Sequence, residues 1–571
     1  MHAELVEARQ FAGDRKAAAG GIGNNIARGV MVVALLLATA AMARADDKHD
    51  HATTLVEGLS GHHHPVTTES ERAQEFFDQG LELAWAFNHH AAVRAFRKAQ
   101  ELDPECAMCF WGEAWALGPN INAPMDPEAV PVAWAALEKA RELAARRSSS
   151  RERAYIDALG DRYRPQPEED RSELDLAYAI AARVVALRFP DDLDAAVISA
   201  EALMDTMPWD YWLEDGSPKP QTTEFLGRLE TVLRRDPDHP GANHLLIHAV
   251  EKVRPELGIP SAERLESLSE GAGHLVHMGG HIFIRVGRYR DAMRVNEKAI
   301  AADEKFAAEH EVSDLYAYGY ALHNIHFLVA AAGFAGDAER AIEAALELRS
   351  RVGTEVMRQP GMSTTQHFWL TPYFVWARFG RWDEILAAPE PDADLLYPRA
   401  ARHYARGLAL ARRGEIDAAD AELAALRELV ADEALEDVTV WDLNDSRTLM
   451  RIGENVLAGE IEAARDAYDG AVAFLEAAVA LEDGLTYDEP PPWMVPVRQH
   501  LGAVLLEAGR LGAAESVYRE DLDKYPNNGW SLEGLRQTLV RQGRTDDAAE
   551  VAERLKSVWE GSQVELVGSR F

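Results

Sequence analysis

The chain has 571 residues and sets 59 lysine and arginine side chains against 95 aspartate and glutamate, a formal net charge of −36. So acidic a surface repels phosphate backbones and anionic headgroups, which excludes nucleic acid as a natural partner and disfavours docking on anionic membranes. Alanine, leucine, glutamate and arginine prevail and no long stretch alternates as strands do, so the expectation is a chain of helices. The first element is an uncharged run from Gly29 to Ala43, preceded by Arg28 and closing on Ala43-Arg44-Ala45. It is shorter than the roughly 20 residues that span a bilayer and fits the core of a signal peptide cut before Asp46. Residues 1–45 are therefore read as a leader, with a periplasmic or secreted mature chain and no membrane span after cleavage. Residues 46–69 (DDKHDHATTLVEGLSGHHHPVTTE) are polar and read as a flexible, His-containing segment.

Helical patterning begins with EFFDQGLELAWAFNHHAAVRAFRKAQELDP, residues 75–104. Counting Gly80 as position 8 puts Ala92 at 20, Phe96 at 24, Ala99 at 27 and Pro104 at 32. Small residues at the first, second and fourth of these let two antiparallel helices approach, and the proline stops the second. Cys106 and Cys109 follow, as a local disulfide or as buried thiols. No histidine follows Cys109, so haem attachment is excluded, and two thiols alone do not complete a zinc site. Trp111 and Trp115 are expected to pack between repeats. Residues 126–235 and 425–500 are helical but irregular in phase. The stretches 207–220 (MPWDYWLEDGSPKP) and 487–493 (YDEPPPW) cannot continue helices and read as packed loops.

Glycine turns recur at 285–292, 334–341, 378–385, 412–419, 507–514 and 541–548, each between two helical segments. Gly502, Ala514, Tyr518 and Pro526 repeat the 8, 20, 24 and 32 spacing. This pattern resembles the tetratricopeptide repeat (TPR), of roughly 34 residues. The resemblance implies an all-α, right-handed α-solenoid of TPR-type helix–turn–helix repeats. It divides the mature chain into N-terminal repeats (70–235), central repeats (236–390) and C-terminal repeats (391–571). The phrases HPGANHLLIHAVE, AGHLVHMGGHIFIRVGRY and YDEPPPW are also similar to those of exported bacterial TPR proteins without an assigned activity. That likeness implies fold and export and supplies no reaction.

In the family, positions 2, 5, 9, 12 and 13 of the first helix line the concave groove, and 2, 5, 9 and 12 do share one helix face. This register places His244, His248 and Glu251 at 5, 9 and 12 of one unit. His274, His277, His281 and Arg285 take 2, 5, 9 and 13 of the next. His323 and His326 take 2 and 5 of the following unit, and His367 takes 2 of the one after. Ten histidines lie between residues 239 and 367, and eight of them occupy positions 2, 5 or 9; chance would place roughly one there.

Neutral imidazole is the commonest ligand for transition metals, and helical scaffolds assemble such sites from facing helices. His244, His248, His274, His277, His281, His323 and His326 are the candidate ligands for a copper, zinc or iron ion. Glu251 is a candidate base and Arg285 a contact for an anionic substrate. His367, Trp209 and Tyr320 are candidate substrate contacts, the aromatics as walls of a pocket for a small molecule or peptide. The H-E-x-x-H of metalloproteases is missing. The competing reading is a non-catalytic scaffold whose groove binds a protein or peptide.

Overall fold

The computed structural model describes residues 53–571, which form 24 α-helices and a ribbon of two-residue strands, Thr439–Val440 with Asn444–Asp445. The proposed leader, residues 1–45, lies outside the described residues. No helix among the described residues is long and apolar enough to cross a membrane.

The helices pair as antiparallel hairpins, as the sequence register requires. In the first hairpin, α1 (Glu71–Trp85) is capped by the Ser70 side chain and α2 (His89–Leu102) by Asn88, each satisfying a free N–H of the first turn. A Cβ on Gly80 would stand 2.8 Å from the Phe96 ring, so the small–large pair sets how closely α1 and α2 approach. The glycine turns have a backbone reason as well. Gly287, Gly336, Gly380, Gly414, Gly509 and Gly543 all have φ between 63° and 77°, the left-handed region that ends a helix at little cost for glycine. Cys106 and Cys109 form a disulfide, and Trp111 stacks on Trp115 with ring centroids 5.5 Å apart.

Further along the chain, α3 is Leu193–Met204 and α4 is Pro240–Val250. Then come α5 (Gly273–Arg285), α6 (Tyr289–Glu309), α7 (Ala321–Ala335) and α8 (Thr364–Arg378). Near the C-terminus lies α9 (Gly529–Arg541). The central repeats, α4 to α8, are covered from both ends of the chain. On one side, Trp85 at the end of α1 fills the space beside Gly241, where a Cβ would stand 2.6 Å from its ring. On the other, Tyr289 Oη donates to the carbonyl of Pro526 (2.8 Å) and Trp530 Nε1 of α9 to that of Gly333 (3.1 Å). The surface expected to be an open groove is thus interior.

The segment before α1 departs from expectation too. From residue 53 it is a strap tied along the helices rather than a flexible lead. Val56 N–H donates to Gln79 Oε1 (2.7 Å), Ser60 N–H to Glu82 Oε1 (2.6 Å) and Ser60 Oγ to Glu82 Oε2 (2.7 Å). His62 and His64 reach Asp194 on α3, at 2.9 and 2.5 Å. Composition marks such a segment as polar. It does not reveal that buried carboxylates elsewhere in the chain are waiting for its donors.

Candidate metal centre

Three consecutive inner helices supply the site. His244 and His248, at i and i+4, share one face of α4. His274, His277 and His281 form an i, i+3, i+7 stripe on α5, and His323 stands in the first turn of α7. Five of these six are nearly inaccessible, between 0 and 5 % exposed, while His323 is partly buried. They gather as two triads. One is His244, His248 and His274, and the other His277, His281 and His323. Within each triad, one nitrogen per ring lies within 4.8 Å of the others. Three nitrogens on a tetrahedral ion at ~2.1 Å would stand about 3.4 Å apart, so both triads need only small closures.

The outer nitrogens fix the direction of the inner ones. His244 Nδ1 meets the carbonyl of Trp85 at 2.5 Å. A carbonyl only accepts, so Nδ1 carries the proton and Nε2 keeps its lone pair. His248 Nδ1 is 2.9 Å from Glu251 Oε1 and His281 Nδ1 is 2.5 Å from Glu251 Oε2. One carboxylate thereby holds a histidine from each triad. His277 Nδ1 donates to Asn296 Oδ1 at 2.7 Å, and the Asn296 amide is oriented by its own bond to the Ala292 carbonyl. These four imidazoles therefore turn basic Nε2 atoms inward. His244 Nε2, His248 Nε2 and both nitrogens of His274 are buried without a protein partner. His277 Nε2 and His281 Nε2 stand 2.9 Å apart, two lone pairs facing each other unless a cation lies between them.

A proton on His277 is a poor candidate for that cation. Burial, reinforced by the neighbouring imidazoles, pushes His244, His274, His277 and His323 well below the ordinary histidine value. Burial lowers His248 as well, against the pull of Glu251. Burial alone would raise Glu251, yet His281 and His248 hold it down to about 2. Glu251 thus stands against two imidazoles, one from each triad.

Aromatic rings close the cluster. Phe87, in a left-handed turn after α1 (φ 53°), lies 4.5 Å from the His244 ring and stacks on His248 at 5.8 Å. Trp209 meets His248 edge-on at 5.1 Å and Tyr320 meets His274 at 4.8 Å, so both rings stand beside the cluster. Tyr320 ends a π-helical turn, Leu315–Tyr320, a local widening frequent at functional sites. Its shape is held by Asp303, which accepts from Tyr316 Oη (2.9 Å) and Asn324 Nδ2 (2.7 Å). Trp441, from the small ribbon, reaches His323 at 5.7 Å. Trp209, Tyr320, Trp441 and His323 are all partly exposed and mark the accessible side.

Arg285 does not face the ring nitrogens. It lies 3.6 Å from Glu489 and over the Tyr487 ring at 5.7 Å, both in the proline-rich loop 487–493. Burial pushes Glu489 up to about 7, opposed by Arg285 and His281. This loop adds a carboxyl and a phenol beside the cluster that the sequence reading left as packing.

Two expected residues stand apart. His326 belongs to neither triad, because three residues of helix rotate it from His323 on α5's side toward α8. There it meets the His367 ring at 5.2 Å. His367 Nδ1 bonds Tyr397 Oη at 2.7 Å, so His326 and His367 form a separate buried pair. Phe87, Asn296, Trp441, Tyr487, Glu489 and the Trp85 carbonyl were missed. They come from other repeats or from second helices, and no spacing rule connects them to the stripe.

No family model matches the chain, and no curated protein matches it. Solved structures do. The human IFIT1 dimer with m7Gppp-AAAA has a TM-score of 0.30 at 12 % identity, covering 87 % of this chain and 92 % of that one. Yeast Tom70 has a TM-score of 0.25 at 12 % identity, with 85 % and 92 % covered. The TPR domain of P58(IPK) has a TM-score of 0.19 at 12 % identity, with 65 % and 94 % covered. None of these likenesses bears on function.

Proposed function

We propose that the protein is an exported transition-metal-binding protein whose metal is held by the buried imidazoles of α4, α5 and α7. The observation that carries this reading is the pairing of committed and uncommitted nitrogens. Trp85, Glu251 and Asn296 fix the outer nitrogens, and the inner nitrogens converge in the interior, those of His244, His248 and His274 without a protein partner. A histidine oriented by a carbonyl or carboxylate on its far side is the usual support of a metal ligand. All-imidazole donors suit copper or zinc, with iron less favoured without a carboxylate ligand. The aromatic side marked by Trp209, Tyr320 and Trp441 is where a small ligand would reach the ions. A bound peptide is disfavoured, since the histidine face is covered by Phe87 and by the 487–493 loop. The Cys106–Cys109 disulfide supports export, being at home in an oxidising compartment.

The test is elemental analysis of untagged protein. The reading expects a stoichiometric transition metal in wild type and reduced loading in a variant carrying both His277→Ala and His281→Ala. Metal-free wild type, or a double variant that retains full loading, would sink it. Export is checked separately by mass spectrometry of the mature chain, which should begin at Asp46.

A further inference from the structure

Resting on that reading, we infer that the cluster is a two-ion centre, one ion per triad, in which Glu251 couples the two sites. The first ground is spacing. At the separation that defines each triad, neither takes in a member of the other among the described residues. A single ion at ~2.1 Å from each nitrogen requires all donors within about 4.2 Å of one another, so it cannot serve all six rings as they stand.

The second ground is how close the triads are. Ring centroids of His248 and His281 are 5.7 Å apart and those of His274 and His277 5.8 Å. Helix α5 gives His274 to the first triad and, one and two turns on, His277 and His281 to the second. Two ions would thus sit along one helix face.

The third ground is Glu251. It is fully buried, and its two oxygens are divided between His248 of one triad and His281 of the other. A carboxylate behind a ligating imidazole raises ligand basicity, and here one charge serves both sites. Glu251 is a positioning residue, since it touches the ligands and not the ions. Asn296 is its counterpart for one site alone, bonding His277 and the Ala292 carbonyl. Three protein ligands per ion leave a coordination position for an exogenous ligand. The pair therefore suits a small molecule that takes two metals at once, entering past the aromatic side chains.

Metal-stripped wild-type protein would be titrated with zinc alone and with copper(II) alone, by calorimetry and by metal content after desalting. The expected result is two equivalents per chain. A variant carrying His244→Ala and His274→Ala should retain one, and a variant carrying His277→Ala and His281→Ala should retain one. Glu251→Gln should still take two, with affinity lowered ~10–100-fold at both sites, the usual cost of losing such a support. Asn296→Ala should weaken one site only. One equivalent in wild type would overturn the two-ion centre while leaving the metal reading intact. No binding at all would overturn both. Weakening of a single site by Glu251→Gln would remove the coupling role. The wild-type stoichiometry decides the main point even if a variant folds poorly.

Discussion

Asp194 and Glu251 are both buried carboxylates that gather histidines, yet they end in opposite ways. Around Asp194 three imidazoles point inward: His62 Nε2 at 2.9 Å, His64 Nδ1 at 2.5 Å and His239 Nε2 at 3.0 Å. His239 Nδ1 also accepts the Ala242 N–H as the cap of α4. Its proton must therefore lie on Nε2, aimed at the carboxylate, and that nitrogen is a donor with no lone pair for a metal. The Asp194 group has the spacing of a metal site and the chemistry of a structural knot. Around Glu251 the protons also point at the carboxylate, but the second nitrogens of His248 and His281 turn toward other lone pairs. What separates a candidate metal centre from a tie-point is the commitment of the second nitrogen, which neither composition nor proximity records.

Breaking that contrast gives graded expectations. The largest effect should come from Asp194→Ala, which strands three imidazoles, two of them buried, and unties the strap. Removing one partner of a buried ion pair typically costs about 3–5 kcal/mol, and urea unfolding should show a loss of that order with metal loading unchanged in the surviving fold. Next, stripping the metal should lower thermal stability. Ligand at a hundredfold excess over its Kd contributes about 2.7 kcal/mol, so chelation should reduce the Tm of wild type but not of the four-histidine variant lacking His244, His274, His277 and His281.

Smaller and opposite in sign is His274→Leu. Both nitrogens of His274 are buried without partners, and an unsatisfied buried polar group costs about 1–3 kcal/mol. In metal-free protein the leucine variant should be as stable as wild type or more so, whereas with metal present it should be less stable. Equal losses in both states would mean that His274 is an ordinary core residue. The smallest effect is on the strap. Burial would lower His62, but its bond to Asp194 prevails and holds it above the ordinary histidine value. Its contribution is therefore present at pH below the unfolded value of 6.5 and fades as pH rises through the raised folded value. Hydrogen exchange over residues 53–69, corrected for its intrinsic pH dependence, should show more protection at pH 5.5 than at pH 8.5.

Much of the scaffold was legible because it is local. The glycine turns, the Gly80–Phe96 and Gly502–Tyr518 pairs and the histidine stripe follow from periods of 3.6 and about 34 residues. The stripe correctly brought His244, His248, His274, His277, His281 and His323 together, with Trp209 and Tyr320 beside them. It misplaced His326 and His367, because a helix face is wide enough for neighbours three residues apart to serve different partners. The interior position of the cluster was not legible at all. It depends on Phe87 arriving from the first hairpin and Tyr487 and Glu489 from a loop about 240 residues beyond α4, contacts that no local pattern encodes. The strap was misread for the same reason, since its donors are taken by Gln79, Glu82, Glu152 and Asp194 among others, all outside it.

The most direct measurement is X-ray absorption at the metal edge of purified, untagged wild-type protein. A buried all-imidazole site predicts a first shell of nitrogen alone at about 2.0–2.1 Å for zinc, with the outer-shell scattering of about three imidazole rings per ion. It should be lost in the four-histidine variant and unchanged in Asp194→Asn. A first shell of oxygen or sulfur, or an imidazole signal that survives loss of those four histidines, would contradict the account.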